Sequence, residues 1–434
     1  MLRLWIVWLV FFLLTGNLFA REEKTETKKE DIELLQQKID SLSYNLTQLI
    51  NKQQQQEKEK ELQALLDEAN DLSRVKRKKQ ENLGKKFHTG VRQQSGLNPN
   101  ISMGGDFFAA VSNQNCEELD TPNDFTYGNN GFFLREVELG LTAPLDPFTR
   151  GKTFISLTEN ELSLEEAYME WLNLPLDMNL KIGLFNAEWG ILNRYHDHAL
   201  PQFDRPKVLT RFFTNGNLGG FGTAANFLLP PLLGANATLL DLTLINGGTG
   251  QSFTDQGDLN LLTAANLTHF YDITDDLFFE WRLGSITGYN DPQERCRSFV
   301  TNVAMNLKWI PTDRSKYRTI DWKTEFVWGH RQTPGQNINS KGIYSSFQNK
   351  VNASWWVGGR VDYTELPFSA DQYEWALTAN ADFWQSEFVF IRFQYQYSQR
   401  EIKSDTAVND VLPDDHSFIV QVNWAMGPHK HEAY

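Results

Sequence analysis

Apolar and polar positions along the chain follow three successive rhythms. The first is a continuous apolar run from Leu4 to Leu14, preceded by Arg3 and followed by the small Ala20 and a charged stretch. This order of base, apolar run and small residue predicts a secretory signal peptide over residues 1–20, cleaved near Ala20. The run is short for a bilayer-spanning helix, which needs about 20 apolar residues. The second rhythm places Ile32, Leu35, Ile39, Leu42, Leu46 and Leu49 at alternating spacings of three and four. These are the a and d positions of a heptad seam. A polar patch from Gln53 to Lys60 interrupts it, and Leu62, Leu65, Ala69 and Leu72 resume in a shifted frame. The flanking positions are almost all Gln, Glu, Lys and Asp, so such a helix has only another copy of itself to bury against. An α-helical coiled-coil arm over 21–75 is expected, with Ile at a and Leu at d favouring dimers. A basic run, Arg74, Lys76, Arg77, Lys78, Lys79, Lys85 and Lys86, opens a Gly-containing linker over 76–100. Its charge suits contact with anionic lipid heads or the cell wall.

From Ile101 to Met426 the rhythm changes to period two. Strand-like runs begin at Ile101, Gly131, Lys152, Leu162, Met178, Leu218, Ala235, Asp258, Asp276, Ser298, Arg318, Gly342, Ala353, Gln372, Glu387 and His416. In one of them Trp322, Thr324, Phe326 and Trp328 share a face opposite Asp321, Lys323 and Glu325. In another Val389, Ile391, Phe393, Tyr395 and Tyr397 oppose Arg392, Gln394 and Gln396, and in a third Trp375, Leu377, Ala379, Ala381 and Phe383 oppose Thr378, Asn380 and Asp382. A soluble β-sandwich also alternates, but here the polar faces carry full charges, as a wet lumen would. Short links such as Leu174 to Asp177 and Asp272 to Asp275 also alternate with long polar ones: Asn113 to Asn130, Ile191 to Asn217, Asn246 to Gly257, Gly288 to Arg297, Arg331 to Lys341 and Ser398 to Asp415. The expected fold is therefore an all-β transmembrane barrel of about 16 antiparallel strands over 101–426, with short periplasmic turns and long outer loops. Residues 427–434 form a tail. The last strand alternates Phe418, Val420, Val422 and Trp424, the C-terminal aromatic strand expected to direct barrel assembly, and the tail carries Tyr434 beyond it. Both barrel ends lie on the periplasmic side, where the exported arm is.

Composition agrees with export. The chain has only two cysteines, 13% aromatic residues and a net charge of −14. Its mean hydropathy is negative, as expected when one face of each strand meets lipid. Cys116 and Cys296 both fall in outer connections of the predicted barrel, and their pairing is left open. Neither a nucleic-acid partner nor a cofactor is implied.

The stretch 186–217 would be the third outer loop, folded inward to narrow the pore. It carries Arg194, Arg205, Lys207 and Arg211 against Asp197 and Asp204, with His196 and His198 between them. Opposite it, alternation points Glu136, Glu138, Glu166, Glu170, Lys323, Glu325, Arg360, Asp362 and Arg392 into the lumen as the pore wall. Basic groups on the loop facing acidic groups on the wall would order dipolar solutes and filter ions. His196 and His198 are two apart, so in an extended segment both project the same way and form a weak candidate metal pair. His429 and His431 repeat the spacing. With eight His and no recognisable Ser-His or Asp-His motif, an enzyme is not expected. A gated receptor of the 22-stranded class needs a longer barrel and a plug.

Several segments together resemble a bacterial outer-membrane porin-like family related to the phosphate-selective porins O and P. They are GLNPNISMGGDF, FLREVELGLTAPLDPF, EEAYMEW, KIGLFNAEWGILNRYHDHALPQFDRP, WWVGGRVDY and the GPHKH tail. The resemblance covers most of residues 95–434. It implies passive diffusion of small hydrophilic solutes or ions across the outer membrane, a homotrimer, and a periplasmic N-terminal arm. The Lys and Arg ladder of the phosphate-selective members cannot be placed on this sequence, so the phosphate label is not carried over. Two other expectations stand beside the channel. One is a tether, since about 50 helical residues at 1.5 Å each extend roughly 75 Å toward the cell wall. The other is a metal-related outer-membrane receptor built on the histidine pair.

Overall fold

A computed structural model describes residues 99–113, 130–159, 161–213, 216–247, 251–254, 260–402 and 414–427. The signal peptide, the coiled-coil arm, nearly all of the linker, Cys116 and the two tail histidines lie outside the described residues.

Sixteen strands close into one barrel, each antiparallel to its neighbours in the chain. They are β1 (Asn100–Ser112), β2 (Gly131–Pro144), β3 (Thr149–Leu157), β4 (Leu162–Leu174), β5 (Met178–Asn186), β6 (Gly219–Leu229), β7 (Ala237–Asn246) and β8 (Leu261–Thr274). The second half comprises β9 (Leu277–Asp291), β10 (Cys296–Trp309), β11 (Thr319–Thr333), β12 (Gln336–Lys350), β13 (Trp355–Leu366), β14 (Ser369–Ser386), β15 (Val389–Ile402) and β16 (Asp415–Met426). The barrel closes where β1 meets β16, from Met103 against Met426 to Ser112 against Ser417. Closure leaves no strand edge unpaired, which is the condition for a sheet to cross a membrane.

The alternation resolves into an apolar outside and a charged inside. Val303, Trp322, Phe326, Trp328, Leu377 and Phe393 are exposed on the outer surface, while Lys323, Glu325, Asp382 and Arg392 are buried within. Such an apolar belt would be an aggregation surface in water and is the lipid face of a membrane barrel.

The connections differ from expectation in one respect. The links placed at Gly288 to Arg297 and Arg331 to Lys341 are mostly strand. β9 runs to Asp291 and β10 begins at Cys296, while β11 and β12 are joined only by Pro334 and Gly335, where Gly335 takes a φ of +101°. On the same side, β13 and β14 are joined by Pro367 and Phe368 alone. Here His330, Gln332, Asn337 and Asn339 carry polar groups along the strands, and period two ceases to mark a strand that both faces present to water. Cys296 is accordingly the first residue of β10, buried and with a free thiol, rather than a loop residue.

Two of the barrel's β-bulges lie in the first four strands. Opposite Asp106 and Phe107, β2 offers Glu136 and Leu134, so Arg135 is the extra residue. Opposite Phe154 and Ile155, β4 offers Glu166 and Leu164, so Glu165 is extra. A bulge re-aims a side chain that strict alternation would send outward. Both face the long segment 187–218, which enters the barrel between β5 and β6.

Candidate functional site

Asn186 and Gly219 are paired across β5 and β6, so segment 187–218 leaves and returns at a single rung. Its neck is clamped by one side chain. Asn193 Nδ2 donates to the carbonyls of Ala187 (2.8 Å) and Leu218 (2.9 Å), and its Oδ1 accepts from the Leu218 amide (2.5 Å). From there the segment supplies the apolar core that a barrel otherwise lacks. Trp189, Leu192, Val208, Leu209, Phe212 and Phe213 are fully buried in one cluster with the inward-facing Ile245, Leu262, Ile286, Val300, Val327 and Tyr344. One short helix, α1 (Lys207–Phe212), lies against β12 to β14. It comes this close because the wall beneath it has no side chain. A Cβ on Gly329 would lie 2.7 Å from the Phe212 ring, and one on Gly342 2.5 Å from Val208 Cγ2.

The polar half of the segment is tied to the opposite wall. Asp204 accepts from Arg360 Nη2 (2.7 Å), Gln394 Nε2 (2.8 Å) and Gln396 Nε2 (2.8 Å). Burial pushes the Asp204 carboxyl up, but Arg360, Lys207 and the two glutamine hydrogen bonds together outweigh it and hold the group below its usual range. Arg360 also donates to Asp362 (2.6 Å), whose carboxylate accepts from the Lys207 amide (3.0 Å). Glu374, which alternation did not single out, gathers Arg211 (2.6 Å), Arg400 (3.4 Å) and Lys207 (3.5 Å). Glu325 accepts from the Ile191 amide (3.2 Å), Asn302 (2.7 Å) and Tyr344 (3.0 Å). Arg205 stays within the segment, donating to Asp197 (2.8 Å) and to the carbonyls of Leu192 (3.0 Å) and Tyr195. Lys323 pairs with Asp321, and Arg392 forms a two-pronged pair with Asp382, both bonds 3.0 Å.

The histidines face β2 and β4. His196 Nδ1 lies 2.6 Å from Glu138 Oε2 and 2.8 Å from Glu165 Oε2, and its Nε2 is 3.8 Å from Glu166 Oε2. His198 Nδ1 is 2.9 Å from Glu136 Oε1 and 4.0 Å from Glu138 Oε2. Burial pulls both imidazoles down, but the surrounding carboxylates prevail, and both rest above their ordinary range, His196 well above. The bulged Arg135 reaches the Phe203 carbonyl (2.7 Å), Asp106 (3.5 Å) and Asp197 (3.4 Å).

Between the inward segment and the wall of β3 to β7 lies a cavity of ≈ 190 Å³. Arg150, Lys152, Lys181 and Arg194 line it together with Glu166, Glu170, Glu188 and Asp241. Arg150 pairs with Glu170 (2.6 Å), and Glu188 with both Arg194 (2.7 Å) and Lys181 (4.0 Å). Of the residues singled out from sequence, Arg194, His196, Glu166 and Glu170 border this cavity. Asp204, Lys207, Arg211, Arg360 and Asp362 are joined in the anchoring network. Lys152, Lys181, Glu188 and Asp241 were not foreseen, since they come from three strands and the loop and no local pattern links them.

No protein-family model matches the chain. An uncharacterized protein of Aquifex aeolicus (strain VF5) is 24% identical over 418 residues, covering 82% of this chain and 84% of that one. Among solved structures, the anion-selective porin from Comamonas acidovorans superposes with a TM-score of 0.53 at 8% identity, over 76% of this chain and 100% of its own. The outer-membrane channel DcaP of Acinetobacter baumannii gives a TM-score of 0.53 at 11% identity, over 78% and 99%. The trimer form of OmpT from Vibrio cholerae gives 0.50 at 7%, over 76% and 100%. At these identities the likeness establishes a shared barrel fold and nothing finer.

Proposed function

We propose that the protein is a porin-like channel of the outer membrane. Small hydrophilic solutes and ions diffuse through the crescent between the inward segment 187–218 and the wall of β3 to β7. The observation that carries this reading is the cavity itself. Its lining is charged, with cations from β3, β5 and the loop and anions from β4, the loop and β7. The rest of the inward segment is tied to the wall by its apolar cluster and by Glu325, Arg360 and Glu374. Opposed charges across a narrow passage hold a transverse field, which favours small dipolar and ionic solutes. The residues read from sequence as the constriction then divide in role. Arg194 and His196 border the passage, while Asp204, Arg205, Lys207 and Arg211 keep the segment in place.

The finer assignments belong to the same proposal: kinship with the phosphate-selective porin O and P group, assembly as a homotrimer, and a periplasmic arm reaching toward the cell wall. The trimer finds support in one structural neighbour being a trimer.

Single-channel recording of the refolded mature protein in a planar bilayer under a salt gradient tests the channel. Stepwise openings are expected, with closures in threes for a trimer. Neutralising Arg194 and Arg205 together is expected to move the reversal potential toward cations, with Arg194 carrying the effect because it faces the passage. The double change Lys152→Gln and Lys181→Gln is expected to move it in the same direction. A folded barrel without conductance would reject the channel, and an unmoved reversal potential in both variants would move the filter elsewhere.

A further inference from the structure

We propose that Glu138, Glu165 and His196, with His198 as the neighbouring fourth donor, bind one first-row transition-metal dication of the Zn2+ class and so fasten the inward segment to β2 and β4. One ligand atom from each of Glu138, Glu165 and His196 falls within 4.8 Å of the others. The His196 and His198 rings are 5.8 Å apart between centroids. The donors come from three separate elements and converge because of a backbone irregularity: Glu165 is the extra residue of the β4 bulge, turned toward the lumen beside Glu166.

The contacts at His196 Nδ1 point to an ion. Two carboxylate oxygens approach this one nitrogen, at 2.6 and 2.8 Å. A nitrogen carries a single proton and can donate it along one direction, so the second oxygen faces a charge the imidazole does not direct to it. A dication replacing that proton satisfies both. Tetrahedral Zn2+ with bonds of about 2.0–2.2 Å keeps neighbouring ligand atoms about 3.3 Å apart, so the two carboxylates would draw back from His196 by roughly 0.5–0.7 Å to admit it. A mixed imidazole and carboxylate set selects Zn2+ and its first-row neighbours over Mg2+ or Ca2+, which prefer oxygen alone. The Arg135 guanidinium is directed to Asp106 and Asp197. There is also an entry path, because His196 and Glu166 border the charged cavity. Metal binding would thus set how firmly the segment is held beside the passage.

The test is calorimetric titration of the refolded mature protein with ZnCl2 at about pH 8, where imidazole ligands are free of protons more readily. It does not depend on conductance, so it stands or falls apart from the channel reading. One Zn2+ per chain is expected, with affinity reduced at least about tenfold in Glu165→Gln and in His196→Gln. Affinity should be unchanged when His429 and His431 are both replaced by Ala. Each variant is first checked for the heat-modifiable mobility of a folded barrel. Glu165→Gln keeps the side-chain shape and serves if His196→Gln does not fold. The proposal is overturned if the parent protein takes up no Zn2+, if Glu165→Gln binds as tightly as the parent, or if only the tail variant loses binding.

Discussion

Replacing residues 187–218 with a two-residue Asn-Gly turn is expected to raise single-channel conductance several-fold. The excision is compatible with the fold because Asn186 and Gly219 already face each other as the last rung between β5 and β6. A two-residue turn closes such a pair in the twist that antiparallel strands require. A barrel of sixteen strands is wide enough for an aqueous channel, and here the inward segment occupies that width. Its removal uncovers Ile245, Leu262, Ile286, Val300 and Val327 on the inner wall. It also frees Glu325, Asp362 and Glu374 from their loop partners, but a water-filled lumen hydrates these groups, so the strand ladder and the lipid face persist. Conductance equal to that of the parent protein would show that the segment does not bound the passage.

The second large effect is expected at Arg360. The residue is 2% exposed, and its guanidinium holds Asp204 and Asp362 at once, at 2.7 and 2.6 Å. Arg360→Ala leaves the buried Asp362 and the partly buried Asp204 without their shared cation. Gln394 and Gln396 still reach Asp204, and the Lys207 amide still reaches Asp362, but these are neutral donors. Removing one member of a buried ion pair costs about 3–5 kcal/mol. We expect a lower urea midpoint for the variant and, because the freed portion is the segment rather than the strands, new trypsin cleavage at Arg194, Lys207 or Arg211. Lys207 and Arg211 are 1% exposed in the parent, so cleavage there requires local opening. An unchanged midpoint together with continued resistance to trypsin would show that the segment is held by its apolar cluster alone.

Period two in the sequence was enough to place sixteen strands and to sort Trp322, Phe326 and Trp328 from Lys323 and Glu325. Lipid outside and water inside impose opposite chemistry on successive residues, so the face of each strand is written locally. The same reasoning located the long excursion after β5, because no alternation runs through it. Where water reaches both faces the signal fades, which is why alternation marks β12 only from Gly342 although the strand begins at Gln336. One further signal was present. Phe326, Val327 and Trp328 form an unbroken apolar run, a sign that the inner face there is covered.

What covers it was decided only by the tertiary structure. The inward segment brings its own apolar core to the wall of β7 to β12, so Val327 is buried inside a barrel whose inner wall also carries Lys323, Glu325 and Arg392. The bulges that turn Arg135 and Glu165 inward leave no mark in the sequence, since a bulge depends on how many residues the partner strand sets opposite. The charged cavity is likewise a product of closure. Lys152, Lys181 and Asp241 stand on β3, β5 and β7, and Glu188 on the segment, and only the curvature of the barrel and the return of the chain into it bring them together. Alternation is a property of one strand and its two surroundings, legible along the chain. The partners of each inward side chain depend on strand register and on the path of one long loop, which neighbouring residues do not encode.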